Sequence, residues 1–247
     1  MTGHAFRTVN ARGAAPMIFI CDHASNRVPP EIGDLGIDAA EMQRHIAWDI
    51  GAAAVTEILA QRFDAPALFA TVSRLVIDCN RNWGDPGLMP EISDGTPIPA
   101  NRGIGAAEQK RRWDVYHRAY HAAIDAAIEA KLEAGQRPTI VAIHSMTPAM
   151  KGVLRPWQIA MCAHEERGLN DRVLAELRRN AGIVVGDNEP YNLDPREDFS
   201  IPHHAMRRGL PHLQVEFRQD EIDSPAGQAR WAAIFATAIQ AALAESR

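Results

Sequence analysis

The stretch Thr139-Ile140-Val141-Ala142-Ile143-His144-Ser145 decides how this chain folds. Its opening run of apolar and β-branched residues is too short for a helix, and it lacks the polar alternation of a strand with one wet face. It reads as a strand covered on both sides, the habit of parallel sheets flanked by helices. The polar pair His144-Ser145 follows at the carboxyl end of that strand, where open α/β sheets bind their ligands.

Outward from this strand the same alternation repeats. Upstream, Ala106 to Ala134 carries an apolar stripe (Trp113, Tyr116, Tyr120, Ile124, Ile128) and stops at Gly135, the pattern of a long amphipathic helix. Asn82 to Gly105, rich in glycine and proline, reads as a long loop of the kind that often carries function. Ala67 to Ala70 and Leu75-Val76-Ile77 read as strands, and residues 38–63 as a helix in two pieces. Met17-Ile18-Phe19-Ile20-Cys21 is another buried strand. Downstream come a strand over Trp157 to Cys162, a helix over Leu169 to Asn180 ended by Gly182, and strands at Ile183-Val184-Val185 and Leu213 to Phe217. A helix from Pro225 to Glu245 closes the chain. Strands alternating with helices predict a three-layer α/β sandwich around a mixed, mostly parallel central sheet. No repeat or linker interrupts the pattern, so residues 1–247 read as a single domain.

Composition narrows the function. With 247 residues and 46% hydrophobic content the chain can bury a sizeable core. A formal net charge of −5 argues against a general nucleic-acid or anionic-membrane binder. The basic runs Lys110-Arg111-Arg112 and Arg178-Arg179 fall in helical patterns and read as solvated faces. No apolar run approaches the ~18 residues of a membrane span, and Met1 to Arg7 lacks the apolar core of a secretory signal. A soluble, cytoplasmic protein acting on a small molecule is expected, with its oligomeric state open. Cys21, Cys79 and Cys162 are odd in number and lack CxxC spacing, so buried thiols are the first reading; a nucleophilic Cys21 or Cys79 is the weaker one.

The chemistry lies in polar groups that end or interrupt strand patterns. His23 and His144 are candidate metal ligands, because neutral imidazole suits zinc and a catalytic zinc takes about three protein ligands plus water. A third ligand would be Asp22 or Asp49; Asp49 follows His45 by one helical turn, and otherwise caps or orients a neighbour. Glu216 stands inside an apolar strand, where a carboxylate without a purpose is costly. It is the candidate general base, or else the partner of Arg218 or Arg74. Arg74 can polarise a scissile carbonyl or grip a carboxylate, and the Asn80-Arg81 pair offers a guanidinium fork with an added donor. Ser25 and Tyr191 are further donors toward substrate, although Tyr191 has packing as its plainer role. His203-His204 reads as a loop over the site or as surface, and His117 with His121 as decoration of a helix face. A GxSxG elbow and a GxxxxGK loop are both missing, which removes the serine-hydrolase and nucleotide-loop readings.

These residues resemble the N-formylglutamate amidohydrolase family, from about Pro16 to Phe217. The matching pieces are Asp22 to Asn26, Trp48-Asp49-Ile50-Gly51, Ser73 to Arg81, Ile143-His144-Ser145-Met146 and Gly209 to Arg218. The family is similar in turn to zinc carboxypeptidases and implies a phosphorylase/hydrolase-like sandwich. The resemblance implies His23 and His144 as zinc ligands, Asn80 and Arg81 as the carboxylate grip and Glu216 as the base. Asn26 departs from it, standing where those relatives place a ligating glutamate in HxxE. The expectation is a metal-dependent hydrolase of an N-acyl amino acid, N-formylglutamate first. The alternatives are a zinc carboxypeptidase or other N-acyl amino acid deacylase, and a non-catalytic carboxylate binder that has lost its metal.

Overall fold

The computed structural model describes residues 5–245. Met1 to His4, part of the segment read for a leader signal, lies outside the described residues, as do residues 246–247. The strands in chain order are β1 (Phe6–Val9), β2 (Met17–Cys21), β3 (Ala67–Ala70), β4 (Ile92–Ser93), β5 (Thr96–Pro97), β6 (Thr139–Met146), β7 (Ala149–Met150), β8 (Val153–Leu154), β9 (Ile159–Cys162), β10 (Val185–Asp187) and β11 (His212–Arg218). The α-helices are α1 (Ala52–Phe63), α2 (Ala106–Arg112), α3 (Arg118–Glu133), α4 (Gly168–Arg178), α5 (Ser200–His204) and α6 (Pro225–Ala244). One π-turn, Trp113–His117, joins α2 to α3.

Among the described residues the central sheet has seven strands in the order β1-β3-β2-β6-β11-β9-β10. β1 on β3 and β9 on β11 are antiparallel; every other neighbouring pair is parallel. The mixed, mostly parallel sheet is therefore as expected. The pairs β4–β5 and β7–β8 form two small hairpins outside it.

Period-two alternation sorts the side chains into two layers. Met17, Phe19 and Cys21 of β2, Val141 and Ile143 of β6, and Leu213, Val215 and Phe217 of β11 pack beneath α1, α4 and α6. Ile18, Ile20, Ile140 and Ala142 face α3 and α5 instead. Phe217 meets Phe235 of α6 edge-on at 5.6 Å, and each such buried ring contributes roughly 1.5–3 kcal/mol. The same alternation leaves His144, Gln214 and Glu216 on the α3/α5 side of the sheet.

Three expectations need correction. Residues 38–51 are turns with a short 3-10 segment at Glu41–Gln43, not helix; only Ala52–Phe63 is α-helical. This stretch instead laces across the strand ends, where the Asp49 amide donates to the His23 carbonyl at 2.9 Å. Gly51 then turns into α1 at φ +80°, and a Cβ there would strike the Ile222 carbonyl. Leu75-Val76-Ile77 is a buried turn rather than a strand: Ser73 Oγ accepts from the Leu75 amide at 3.2 Å, and the apolar side chains enter a third core with Leu35, Ile46, Ile98 and Tyr116. An apolar run of three carries no signal that separates these outcomes. Arg112 lies on no solvated face; it is buried, donating to Asn101 Oδ1 at 2.7 Å and to the Val76 carbonyl at 3.2 Å.

Candidate active site

Beyond the carboxyl ends of β2 and β6, the loops bearing His23, Asp49 and Arg74 close on the strand-borne His144 and Glu216. Together these five line a cavity of about 230 Å³. β6 and β11 run parallel with Glu216 paired to His144 in register, so the two side chains project from adjacent strands at one level. His23 follows β2 by two residues, and its position is fixed by the Asp49 amide on its carbonyl.

The carboxylate of Asp49 stands between the imidazoles. Its Oδ2 lies 3.2 Å from His23 Nδ1 and 3.0 Å from His144 Nδ1, and it also accepts from the Ser145 amide at 3.2 Å. All three side chains are buried, and their donor atoms lie within 4.8 Å of one another, so the group can hold a metal ion. A tetrahedral ion with bonds of ~2.0–2.1 Å sets its ligand atoms ~3.3 Å apart, close to the two spacings between Asp49 Oδ2 and the imidazole nitrogens. Each imidazole also has a carboxylate behind it. His23 Nε2 meets Asp78 Oδ1 at 2.7 Å, and His144 Nε2 faces Asp22 Oδ2 at 3.5 Å. Such outer carboxylates fix tautomer and orientation in metal sites. Asp22 is anchored from the far side, its Oδ1 accepting from Tyr120 at 2.9 Å and Ser200 at 2.8 Å.

The field here is negative. Burial and Arg74 work against a charged His23, yet Asp78 and Asp49 outweigh them and raise its pKa; Asp22 and Asp49 overcome burial in the same way at His144. Burial would raise Asp49, but His23 and His144 reverse this and hold it well below the usual carboxylate range. Glu216 differs. Burial pushes it up to about 7, with Asp49 adding to the rise against the pull of His144, His23 and Arg74. A carboxyl poised there can give and take a proton near neutral pH.

Other residues read from the sequence take distinct places. Arg74 lines the cavity with its guanidinium on Asp78 Oδ2 at 2.7 Å and near Asp49 Oδ1 at 3.5 Å. Arg81 also lines it, paired with Asp198 at 3.3 Å. Asn80 lines the cavity as well, and its carboxamide donates to Asp198 at 2.8 Å and accepts from the amides of Phe199 and Ser200 at 2.9 Å. Ser25 is away from the cavity wall, its Oγ accepting from the Arg27 amide at 3.1 Å. Asn26 donates to the Met42 carbonyl at 2.9 Å, which pins a loop. Tyr191 stands at the cavity rim. The cysteines are free, buried thiols whose pKa burial raises.

Sequence reasoning missed how the Asp78–Arg81 loop is placed. His117 and His121 are buried rather than decorative, and they meet the backbone carbonyls of Arg81 at 3.1 Å and Cys79 at 2.8 Å. His203-His204 ends helix α5 rather than a mobile loop; the buried His204 bonds His121 at 2.8 Å and Asp125 at 2.9 Å. The only signal in the sequence was the i, i+4 spacing of His117 and His121. Arg155, on the cavity wall, was also passed over.

The sequence pattern of the N-formylglutamate amidohydrolase family matches residues 15–222. The chain belongs to that family. Its members are amidohydrolases, and so is this chain. A crystal structure of a gene product from Agrobacterium tumefaciens superposes with a TM-score of 0.95 at 32% identity, over 98% of this chain and 96% of that one. A crystal structure of N-formylglutamate amidohydrolase from Ralstonia eutropha gives a TM-score of 0.70 at 22% identity, over 97% of each chain, a likeness of fold. No curated protein matches the chain by sequence. Among the described residues, no helix is long and apolar enough to cross a membrane.

Proposed function

We propose that the chain hydrolyses the amide bond of an N-acyl amino acid, N-formyl-L-glutamate foremost, to formate and glutamate. The observation that carries this reading is Glu216, a buried carboxyl raised to about 7 beside His144 in the cavity that Asp49 and His23 share. His23, Asp49 and His144 would hold a divalent ion, and two imidazoles with one carboxylate are a donor set that suits zinc. When bound, zinc supplies Lewis acidity and lowers the pKa of water toward ~7. Glu216 accepts the proton of the attacking water and returns it to the amide nitrogen as the C–N bond breaks. Arg74 donates to the carbonyl oxygen as negative charge gathers there. Arg81 and Tyr191 face the carboxylate end of the substrate, while Asn80 holds the segment that carries Asp198. Asp78 and Asp22 keep the two imidazoles in orientation.

Glu216→Gln is the direct test. Turnover of N-formylglutamate should fall by about 10²–10⁴-fold while zinc content and product binding stay as in the wild type. Near-normal turnover would overturn the assignment. A wider acyl range is favoured by a second cavity of about 680 Å³ that shares Arg74, Arg81 and Tyr191 with the first. Comparing formyl-, acetyl- and succinyl-amino acids measures that range.

A further inference from the structure

Three guanidinium groups line the catalytic cavity: Arg74, Arg81 and Arg155. Two have carboxylate partners, Arg74 with Asp78 and Asp49, and Arg81 with Asp198. Arg155 is the most buried of the three, with 8% of its surface exposed. Its contacts are neutral: one nitrogen donates to the Tyr191 hydroxyl at 2.7 Å, another reaches the Thr147 carbonyl at 3.5 Å, and the guanidinium lies 4.9 Å from the Tyr191 ring centre. Among the described residues no carboxylate pairs with it. A buried cation without an anion is costly, because the charge has lost its water and gained no partner.

The cation is also held in place. The Arg155 amide donates to the Pro148 carbonyl at 2.9 Å, and its own carbonyl accepts from Arg218 at 3.2 Å, so the residue is braced behind the β7–β8 hairpin. Its field reaches across the cavity mouth. His45 is kept below its ordinary pKa by burial first, against the pull of Asp94, with Arg44, Arg74 and Arg155 adding to the drop. Because the Tyr191 oxygen accepts from Arg155, its own proton is free for a second acceptor. Guanidinium and phenol together make a fork plus a donor, the complement of a carboxylate.

We propose that Arg155, steered by Tyr191, binds a carboxylate of the substrate and sets the preference for acidic N-formyl amino acids. This rests on the amidohydrolase reading above and adds the residue that selects the substrate. A free acid enters as the missing counter-ion. A neutral analogue leaves Arg155 buried and unpaired, so the discrimination comes as much from that penalty as from the new bonds.

The test compares wild type with Arg155→Gln, Arg155→Lys and Tyr191→Phe on N-formyl-L-glutamate, N-formyl-L-glutamine and the α-amide of N-formyl-L-glutamate. Arg155→Gln should raise KM for N-formylglutamate by about 10–100-fold, with kcat moving by less than about threefold. It should also level the preference over one of the two amides. Levelling against the glutamine analogue identifies the side-chain carboxylate as the partner, and levelling against the α-amide identifies the other. Arg155→Lys should fall between, and Tyr191→Phe should raise KM by about 3–10-fold. Thermal melts report folding; if the Gln variant does not fold, the Lys and Phe variants carry the test. Calorimetric titration of L-glutamate supplies an arm independent of turnover, with affinity expected to fall about tenfold or more in Arg155→Gln. KM, preference and glutamate affinity all within about twofold of wild type would overturn the proposal. A wild type that binds glutamate through Arg155 but hydrolyses none of the three compounds would sink the N-acyl amino acid reading and leave the carboxylate site standing.

Discussion

His23 and His144, and on the other side His117, His121 and His204, are built from one kind of side chain to opposite ends. The histidines of both groups are buried, and each group adjoins a cluster close enough to share a metal: Asp49 with His23 and His144 in the first, and Asp125 with His204 and the half-buried His203 in the second. The first pair sits among Asp22, Asp49, Asp78 and Glu216, and its imidazoles are drawn toward the charged form. The second group is stacked on rings, His117 on Trp113 at 3.6 Å and His121 near Phe199 at 4.5 Å. Its single carboxylate, Asp125, already pairs with Arg208 at 2.9 Å. Burial drops His117 to about 4 and His121 well below its ordinary value. His23 and His144 stand in a negative nest that suits a cation, whereas burial holds His117 and His121 toward the neutral form as they grip backbone carbonyls. The surrounding charge, rather than the residue type, separates the candidate metal site from the scaffold.

The largest expected effect is at Asp49→Asn, which removes the anion between His23 and His144. Zinc measured in the purified variant should drop below stoichiometric, and kcat/KM should fall by at least about 10³-fold, roughly 4 kcal/mol. Full zinc occupancy in that variant would erase the contrast between the two groups.

Acid should act on the second group. The fall of His117 from 6.5 to about 4, at ~1.4 kcal/mol for each tenfold, is worth on the order of 3 kcal/mol. Its folded pKa is depressed, so this stability is fully present above pH 6.5 and is lost as pH falls toward about 4. His203, also lowered to about 4 by burial and by His204, acts in the same window. Urea midpoints between pH 7.5 and 4.5 should therefore fall less steeply in His117→Phe than in wild type; parallel curves would show that the imidazole stack is not the acid-sensitive element.

Asp78→Asn comes next, because it alters a partner of a proposed ligand and not the ligand itself. Zinc affinity should weaken by about 10–100-fold, measured by competition with a chelator. The smallest effect is expected at Asp125→Asn. Zinc stoichiometry and kcat/KM should stay unchanged, with a stability loss of about 1 kcal/mol or less from a half-exposed ion pair. A lost zinc equivalent would mean that the scaffold is a second metal centre.

The sheet and most of its helices were legible because long apolar runs and helical stripes are strong local signals, as at Thr139 to Ile143 and along α3. β1 was not: Phe-Arg-Thr-Val is a half-exposed antiparallel edge strand with no apolar run. α5 holds a proline in five residues and lies packed against α3, β6 and β11. Within the site, His23, His144 and Glu216 could be found because each breaks or ends a strand pattern, whereas the spacing after His45 puts Asp49 on a helix and it stands instead in the non-helical stretch before α1. The Tyr120–Asp22 contact spans 98 residues and leaves no local trace, and the i, i+4 spacing of His117 and His121 shows a shared helix face but not the main-chain carbonyls they bind. Arg155 was hidden for a related reason: it follows a hairpin of two-residue strands, with Val153 and Leu154 exposed beside it.

The register of β11 against β6 has one more consequence. Glu216 is pinned on both sides by backbone ladders, to His144 on one and Ala160 on the other. Arg155 and Tyr191 hang from loops instead. Glu216 and His144 thus share a frame that resists drift, while the residues assigned to choosing the substrate sit where insertions and exchanges are tolerated. A lineage built on this fold can change its diet by rewriting two loops and leave its engine untouched.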